Sequence, residues 1–192
     1  MHYFSIKSLY LELKWRFLFN KLREIDLLIL DVDGVLTDGG LWFKSDGEIL
    51  KRFDVKDGLG LNLLQEIGIE IVLISGGESF SAKARASQLG IKYCFFGVRN
   101  KYDKLRDFQK EKSFPIAKCA YVGDDINDIV VRPLVSLLFT PSNASKSLIS
   151  ISDFTLQNSG GFGAIRELTE KILISKGLWK NYFKNGWVKG IK

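Results

Sequence analysis

The chain has 192 residues, 46% hydrophobic and 26% charged, a balance that suits one domain with a sizeable core and excludes disorder as its main state. The formal charge is +6, but Lys and Arg are spread along the sequence and thicken only near the ends, at Lys7, Lys14, Arg16, Lys21 and Arg23 and at Lys176, Lys180, Lys184, Lys189 and Lys192; that dispersion argues against a nucleic-acid surface and suits a small anionic substrate. The lone histidine, His2, is terminal, and Cys94 and Cys119 form no CxxC or Cys/His cluster, which excludes histidine catalysis and a zinc site.

The segment Tyr10–Leu22 is apolar but repeatedly broken by charge, with no uninterrupted apolar run before a small-residue cleavage site, so no signal peptide is expected. No stretch is long enough to cross a bilayer. The expectation for residues 1–25 is an amphipathic helical extension packed on the domain or on a neighbouring subunit, with docking on a membrane surface as the alternative. Both cysteines lie in apolar, strand-like segments and read as buried thiols in a reducing, cytoplasmic compartment.

Leu27–Leu30 is a continuous apolar run that ends in Asp31-Val32-Asp33-Gly34. Such a run reads as a central parallel strand, and open α/β sheets place their chemistry at the carboxyl ends of strands. Asp31 and Asp33 would share a face if the strand continued, but Gly34 predicts a turn. Two carboxylates this close repel unless a proton or a cation intervenes, and a hard divalent ion such as Mg²⁺ suits oxygen ligands.

Asp46-Gly47 between apolar-aromatic runs predicts a hairpin within residues 39–53. Helical spacing follows from Gly58 to Ile67, then a strand from Ile69 to Ile74 ending in Ser75-Gly76-Gly77. A helix is expected over Ser79–Leu89, a short strand over Lys92–Phe96 and a polar-faced helix over Lys101–Lys112. Ala117–Val122 is a third strong strand, ending in Gly123-Asp124-Asp125-Ile126-Asn127-Asp128. A short helix to Arg132, strands over Leu134–Phe139 and Phe154–Leu156, and a helix opened by Gly160-Gly161-Phe162-Gly163 complete the series. Alternating strands and helices predict a three-layer, Rossmann-like α/β fold with a central parallel sheet. The division is a body over 26–176 between the N-terminal extension and a basic aromatic tail over 177–192.

The strand ends bring together carboxylates for a divalent ion and a hydroxyl, glycine amides and an ammonium for an anion, as phosphoryl transfer requires. The chain here resembles the haloacid dehalogenase superfamily of phosphohydrolases. Asp31-Val32-Asp33-Gly34-Val35-Leu36-Thr37 is similar to its DxDGxLT motif, Ser75 to the second-motif hydroxyl, Lys101 to the third-motif lysine, and Gly123 to Asp128 to GDDxxD. Lys104 is the rival for the lysine. Within the superfamily the chain is similar to the capless 3-deoxy-D-manno-octulosonate 8-phosphate (KDO 8-phosphate) phosphatases and their sialic-acid-related cousins. That resemblance also rests on Phe53-Asp54-Val55-Lys56-Asp57-Gly58-Leu59-Gly60, Tyr121 and Gly160 to Glu167.

The resemblance implies a Mg²⁺-dependent phosphatase of a phosphorylated 3-deoxy-2-keto sugar acid, with no cap domain, assembled as a homotetramer through the hairpin flap. Asp31 would be nucleophile and metal ligand, and Asp33 the acid/base that lends the metal its backbone carbonyl. Asp124 would complete the protein's metal ligands, with Asp125 and Asp128 orienting waters or Lys101. Asp128 serving only as a helix cap is an equal alternative. Ser75, Gly76 and Lys101 would hold the phosphoryl group. Arg85 would reach a substrate carboxylate or lie on a solvated helix face. Arg166 and Glu167 are expected to form a structural ion pair, and Trp42, Phe43 and Phe53 to pack at a subunit interface. Gly77 departs from the family, whose octulosonate members usually carry Arg there and whose nonulosonate members carry Glu. Phosphatase action on another small metabolite, or a non-catalytic assembly module linked to sialic-acid activation, remain the other readings.

Overall fold

The structure, a computed structural model, describes residues 6–187. His2, Lys189 and Lys192 lie outside the described residues, as do the side chains of residues 6–12, Lys7 among them. Helix α1 (Ile6–Arg23) comes first, with Lys21 and Arg23 in its last turn where cations complement the helix dipole. Its Trp15 and Leu22 are buried. The Trp15 ring lies 4.0 Å from that of Phe154 and 6.1 Å from that of Phe139, centroid to centroid. The N-terminal helix therefore closes one face of the sheet.

Strand β1 (Leu27–Leu30) is followed by the hairpin strands β2 (Trp42–Phe43) and β3 (Ile49–Leu50), which pair antiparallel. Helix α2 (Val55–Glu66), β4 (Glu70–Ile74), α3 (Phe80–Gln88), β5 (Tyr93–Phe95), α4 (Lys101–Lys112) and β6 (Cys119–Val122) come next. A 3-10 segment (Ile126–Leu134) leads to β7 (Leu137–Thr140), α5 (Lys146–Ile151), β8 (Phe154–Thr155), α6 (Ala164–Ser175) and α7 (Trp179–Asn185). The main sheet runs β5-β4-β1-β6-β7-β8 with every neighbouring pair parallel, so β1 and β6 are central. No inserted domain covers it among the described residues.

The alternation in β1 explains the layers. Leu28 and Leu30 join one buried cluster with Leu61 and Leu64 of α2 and Ile165, Leu168 and Ile172 of α6. Leu27 and Ile29 join another with Leu105 and Phe108 of α4 and Leu148 of α5. Each fully buried aliphatic side chain contributes roughly 1.5–3 kcal/mol. A strand apolar on both faces requires helices on both sides, and that geometry leaves its carboxyl end as the open edge.

Several boundaries differ from the sequence expectation. Helix α2 starts at Val55 because the Asp54 carboxylate caps it, accepting from the Lys56 and Asp57 amides. Residues 134–136 are not strand. The 3-10 segment runs through Pro133 to Leu134, and β7 begins only at Leu137. Helix α5 and the tail helix α7 are additional elements. Cys94 is half-buried, while Cys119 is fully buried; both are free thiols. Arg166 pairs with Glu170 at 2.8 Å rather than with Glu167, whose carboxylate accepts from the Gln157 and Asn158 amides. Trp42 and Phe43 are 68% and 69% exposed, whereas Phe53 packs half-buried against the core.

The loop before α6 returns to the turn after β1. The Gly161 amide donates to Val35 O at 3.0 Å, and a Cβ on Gly160 would sit 1.7 Å from Gly34 O. Helix α6 has no capping side chain of its own. Asp57 of α2 takes that place, accepting from the Gly163 amide at 3.3 Å and the Arg166 amide at 2.7 Å. Burial pushes the Asp57 carboxyl up to about 6 even against those donors.

Candidate active site

Three parallel strands, β1, β4 and β6, deliver their ends to one place. The Asp31 amide still donates to Val122 O at 2.9 Å, so the ladder reaches Asp31 before the chain turns. Gly34 makes that turn with φ +76°, a conformation that disfavours any Cβ. The two aspartates consequently diverge. Asp31 points to Lys101, and Asp33 points to Lys51.

Asp31 is 4% exposed. Its Oδ1 accepts from the Val32 amide at 2.7 Å, and its Oδ2 lies 3.0 Å from Lys101 Nζ. Lys101 is the first residue of α4, capped by Asn100, and its ammonium also reaches Asp128 Oδ1 at 2.7 Å. The Tyr121 hydroxyl donates to the same Oδ1 at 2.6 Å. The Asp128 Oδ2 accepts from the Asp124 amide at 2.9 Å and from the Asp125 amide at 3.4 Å. This approach requires glycine at 123, where a Cβ would lie 2.3 Å from Asp128 Oδ2.

Asp31, Asp124 and Asp128 each offer an oxygen within 4.8 Å of the others. Asp128 is fully engaged by four donors, which leaves Asp31 and Asp124 as the carboxylates open to a cation. Crowding marks the same place. Burial, then Asp128, pushes the Asp31 carboxyl up to about 7 against the pull of Lys101. Burial, then Asp31, pushes Asp124 up to about 7. Burial alone would lower the Lys101 ammonium, but Asp31 and Asp128 outweigh it and hold it above its ordinary value. Anions this concentrated, with one lysine among them, are a donor set suited to a hard divalent ion.

On the β4 side, Ser75 is buried and its Oγ accepts from the Gly77 amide at 3.2 Å. Gly76 lines a cleft of about 590 Å³ with Val98, Arg99, Asn100, Lys101, Asn127 and Val130. The cleft gives a small anion access to the Gly76 backbone and to the cations of Lys101 and Arg99.

No family model matches the chain. It is 35% identical over 173 residues to the KDO 8-phosphate phosphatase of Haemophilus influenzae, covering 90% of this chain and 96% of that one. It is 36% identical over 157 residues to the enzyme of the same name from Escherichia coli K12, covering 82% and 84%. The crystal structure of KDO 8-phosphate phosphatase from Moraxella catarrhalis, in complex with magnesium, phosphate and KDO, superposes with a TM-score of 0.86 at 31% identity, over 90% of this chain and 99% of that one. The chain belongs to the KDO 8-phosphate phosphatase family of the haloacid dehalogenase superfamily.

Measured against the sequence expectations for that family, Asp31, Lys101, Asp124 and Asp128 meet directly, with Ser75 and Gly76 at the adjoining strand end. Lys104 turns away, its ammonium 4.0 Å from the centre of the Phe95 ring. Asp128 is both a cap and an organiser of Lys101: it forms a capping box with Asp125 while holding the ammonium. Asp125 keeps its carboxylate on the Ile126 amide, at the exposed start of that segment. The Arg85 guanidinium does not join the carboxylates; it donates to Asp54 O at 3.1 Å and to Gln88 Oε1 at 2.8 Å. Three contributors escaped the sequence reading as members of the site. They are Lys51, the Tyr121 hydroxyl and Arg99. The signals for Tyr121 were its share in the family resemblance and its place on β6 two residues before Gly123, and Lys51 was hidden in the charged pair Lys51-Arg52.

Proposed function

We propose that this chain is a Mg²⁺-dependent phosphatase of a 3-deoxy-2-keto sugar acid phosphate, KDO 8-phosphate in the first instance, acting through an aspartyl-phosphate on Asp31. The observation that carries the reading is the Lys101 ammonium held between Asp31 and Asp128 beside Asp124 at the carboxyl end of the sheet. The named activity and bound magnesium, phosphate and KDO of the relatives support it.

The Asp31 and Asp124 carboxylates and the Asp33 backbone carbonyl would hold the ion. Bound there, Mg²⁺ would neutralise charge on the phosphoryl oxygens and keep Asp31 ionised. An oxygen of Asp31 attacks phosphorus as the ester P–O bond breaks, and Asp33 gives its proton to the departing sugar oxygen. Asp33 then takes a proton from the water that cleaves the acyl phosphate, releasing inorganic phosphate and restoring Asp31. Ser75, the Gly76 amide and Lys101 stabilise charge on the group in transfer. Asp128 and Asp125 act by orienting Lys101 and the metal-side waters. Arg99, exposed in the cleft, is placed to meet an anionic sugar.

The body over 26–176 carries this chemistry, and the terminal helices are extensions of it. The exposed hairpin residues Leu41, Trp42, Phe43 and Leu50 support assembly into a homotetramer. Free thiols at Cys94 and Cys119 support a cytoplasmic setting; among the described residues no helix is long and apolar enough to cross a membrane. The free sugar acid would supply lipopolysaccharide biosynthesis. The deciding experiment measures phosphate release from KDO 8-phosphate, a nonulosonate 9-phosphate and simple sugar phosphates, with Mg²⁺ and with EDTA. Turnover of the KDO ester with Mg²⁺ alone is expected; no turnover of any ester would end the reading.

A further inference from the structure

Lys51 stands just after β3, at the exit of the hairpin, and its side chain is 4% exposed. Its ammonium lies 2.7 Å from one Asp33 oxygen and 2.8 Å from the other. The Asp33 side chain is 34% exposed overall, but its Oδ1 is buried and is held by the ion pair with Lys51 alone. The pair also lies against the phosphate-side loop. A Cβ on Gly77 would be 3.2 Å from Asp33 Oδ2, 3.8 Å from Lys51 Nζ and 3.8 Å from Ser75 Oγ.

The segment carrying Lys51 is itself anchored on each side. Ser81 Oγ donates to Ile49 O at 3.1 Å. The Arg52 guanidinium turns away from the site, donating to Gly161 O at 2.6 Å and lying 4.3 Å from the centre of the Phe162 ring. Phe53 bridges to Thr37. A buried ammonium is costly unless paired, and here its carboxylate partner is a group the reaction uses, next to the turn made by Gly34.

We propose that Lys51 is a positioning residue for Asp33, fixing the plane of its carboxylate toward the leaving oxygen, so that the hairpin supplies part of the acid/base machinery. The inference rests on the reading of Asp33 as the acid. It makes a prediction that phosphate binding or fold stability would not. Loss of Lys51 should matter most when the leaving group needs a proton.

The test compares Lys51→Met, Lys51→Arg and Asp33→Asn in the full chain with saturating Mg²⁺. First-turnover release is measured from KDO 8-phosphate, whose leaving alkoxide needs an acid, and from p-nitrophenyl phosphate, whose phenolate does not. General acid catalysis contributes on the order of 10²–10⁴-fold. Lys51→Met is expected to lose at least about tenfold more with the sugar ester than with the nitrophenyl ester, and Lys51→Arg to recover most of that difference. An equal loss with both esters, a raised KM at unchanged kcat, or no loss would each overturn the role of Lys51. If Asp33→Asn is selective and Lys51→Met is not, only the Lys51 assignment falls. If Asp33→Asn is not selective, the acid reading falls, and this inference with it.

Discussion

The Tyr121 hydroxyl donates to Asp128 Oδ1 across 2.6 Å, and neither residue has any solvent-exposed surface. The phenol is pushed well above its usual range by burial and by Asp128 and Asp31, so it stays a donor throughout the working pH range. Asp128 depends on that donor to share its oxygen with Lys101. Tyr121→Phe removes the donor while keeping the ring. Leaving part of a buried carboxylate unsatisfied costs about 1–3 kcal/mol, which in a chain of this size lowers Tm by roughly 2–12 °C. Thermal melting checks the stability, and a fall in kcat larger than the rise in KM checks the looser Lys101.

Gly34 and Asp124 make a steric prediction. A Cβ at 34 would lie 1.9 Å from Asp124 Oδ2, at a φ of +76°. Gly34→Ala must displace the Asp124 carboxylate and adds roughly 1–2 kcal/mol of backbone strain. The expected result is a folded protein by circular dichroism whose half-saturating Mg²⁺ concentration rises by about tenfold or more. Unchanged Mg²⁺ dependence would remove Asp124 from the ion site.

The pH dependence of ion binding has a definite sign. Asp31 and Asp124 sit near about 7 when folded, against an ordinary carboxylate value of 3.8. Between those values the metal-free folded chain binds protons that the unfolded chain has released. Its stability therefore falls as pH rises from about 4 through about 7. Mg²⁺ must displace those protons, so its affinity should rise over the same upper range, by up to about tenfold per pH unit for each proton released. Calorimetric titration in buffers of different ionisation enthalpy checks the proton release. Affinity independent of pH between 6 and 8 would contradict the crowded-carboxylate account.

Asp57 offers a stability test away from the chemistry. Its carboxylate substitutes for the missing cap of α6. Loss of a cap costs about 0.5–2 kcal/mol. Asp57→Ala should lower Tm by roughly 1–8 °C by the same scaling. The lost cap should also loosen the Gly160-Gly161 loop, read as faster amide exchange at Gly161 and Gly163.

The hairpin prediction concerns assembly. Trp42→Lys with Phe43→Lys places charge on both exposed faces of β2. Native mass measurement should find a smaller species than the tetramer expected for the unaltered chain. An unchanged tetramer would move the interface elsewhere.

The sequence carried much of this because the governing signals are local. An apolar run ended by Asp31 needs no tertiary context to be read as a strand end. The signals that failed are the non-local ones. Lys51 meets Asp33 across 18 positions, and Asp57 meets Arg166 across 109; no periodicity links either pair. A short helix was expected to stop at Arg132, before Pro133 and a strand at Leu134, but the 3-10 geometry of that segment accepts the proline and delays the strand. Arg85 has the spacing to face a ligand, yet the carbonyl of Asp54 at the start of α2 claims its guanidinium.

The contact of Gly160 and Gly161 with the turn at Gly34 and Val35 joins positions more than a hundred residues apart. During synthesis the turn bearing Asp31 and Asp33 emerges well over a hundred residues before the loop that seals it. Domains fold as units as they leave the ribosome, and this one lacks its keystone until α6 is available. A chain halted before residue 160 would hold both aspartates and Lys101 and still have no closed turn to present them.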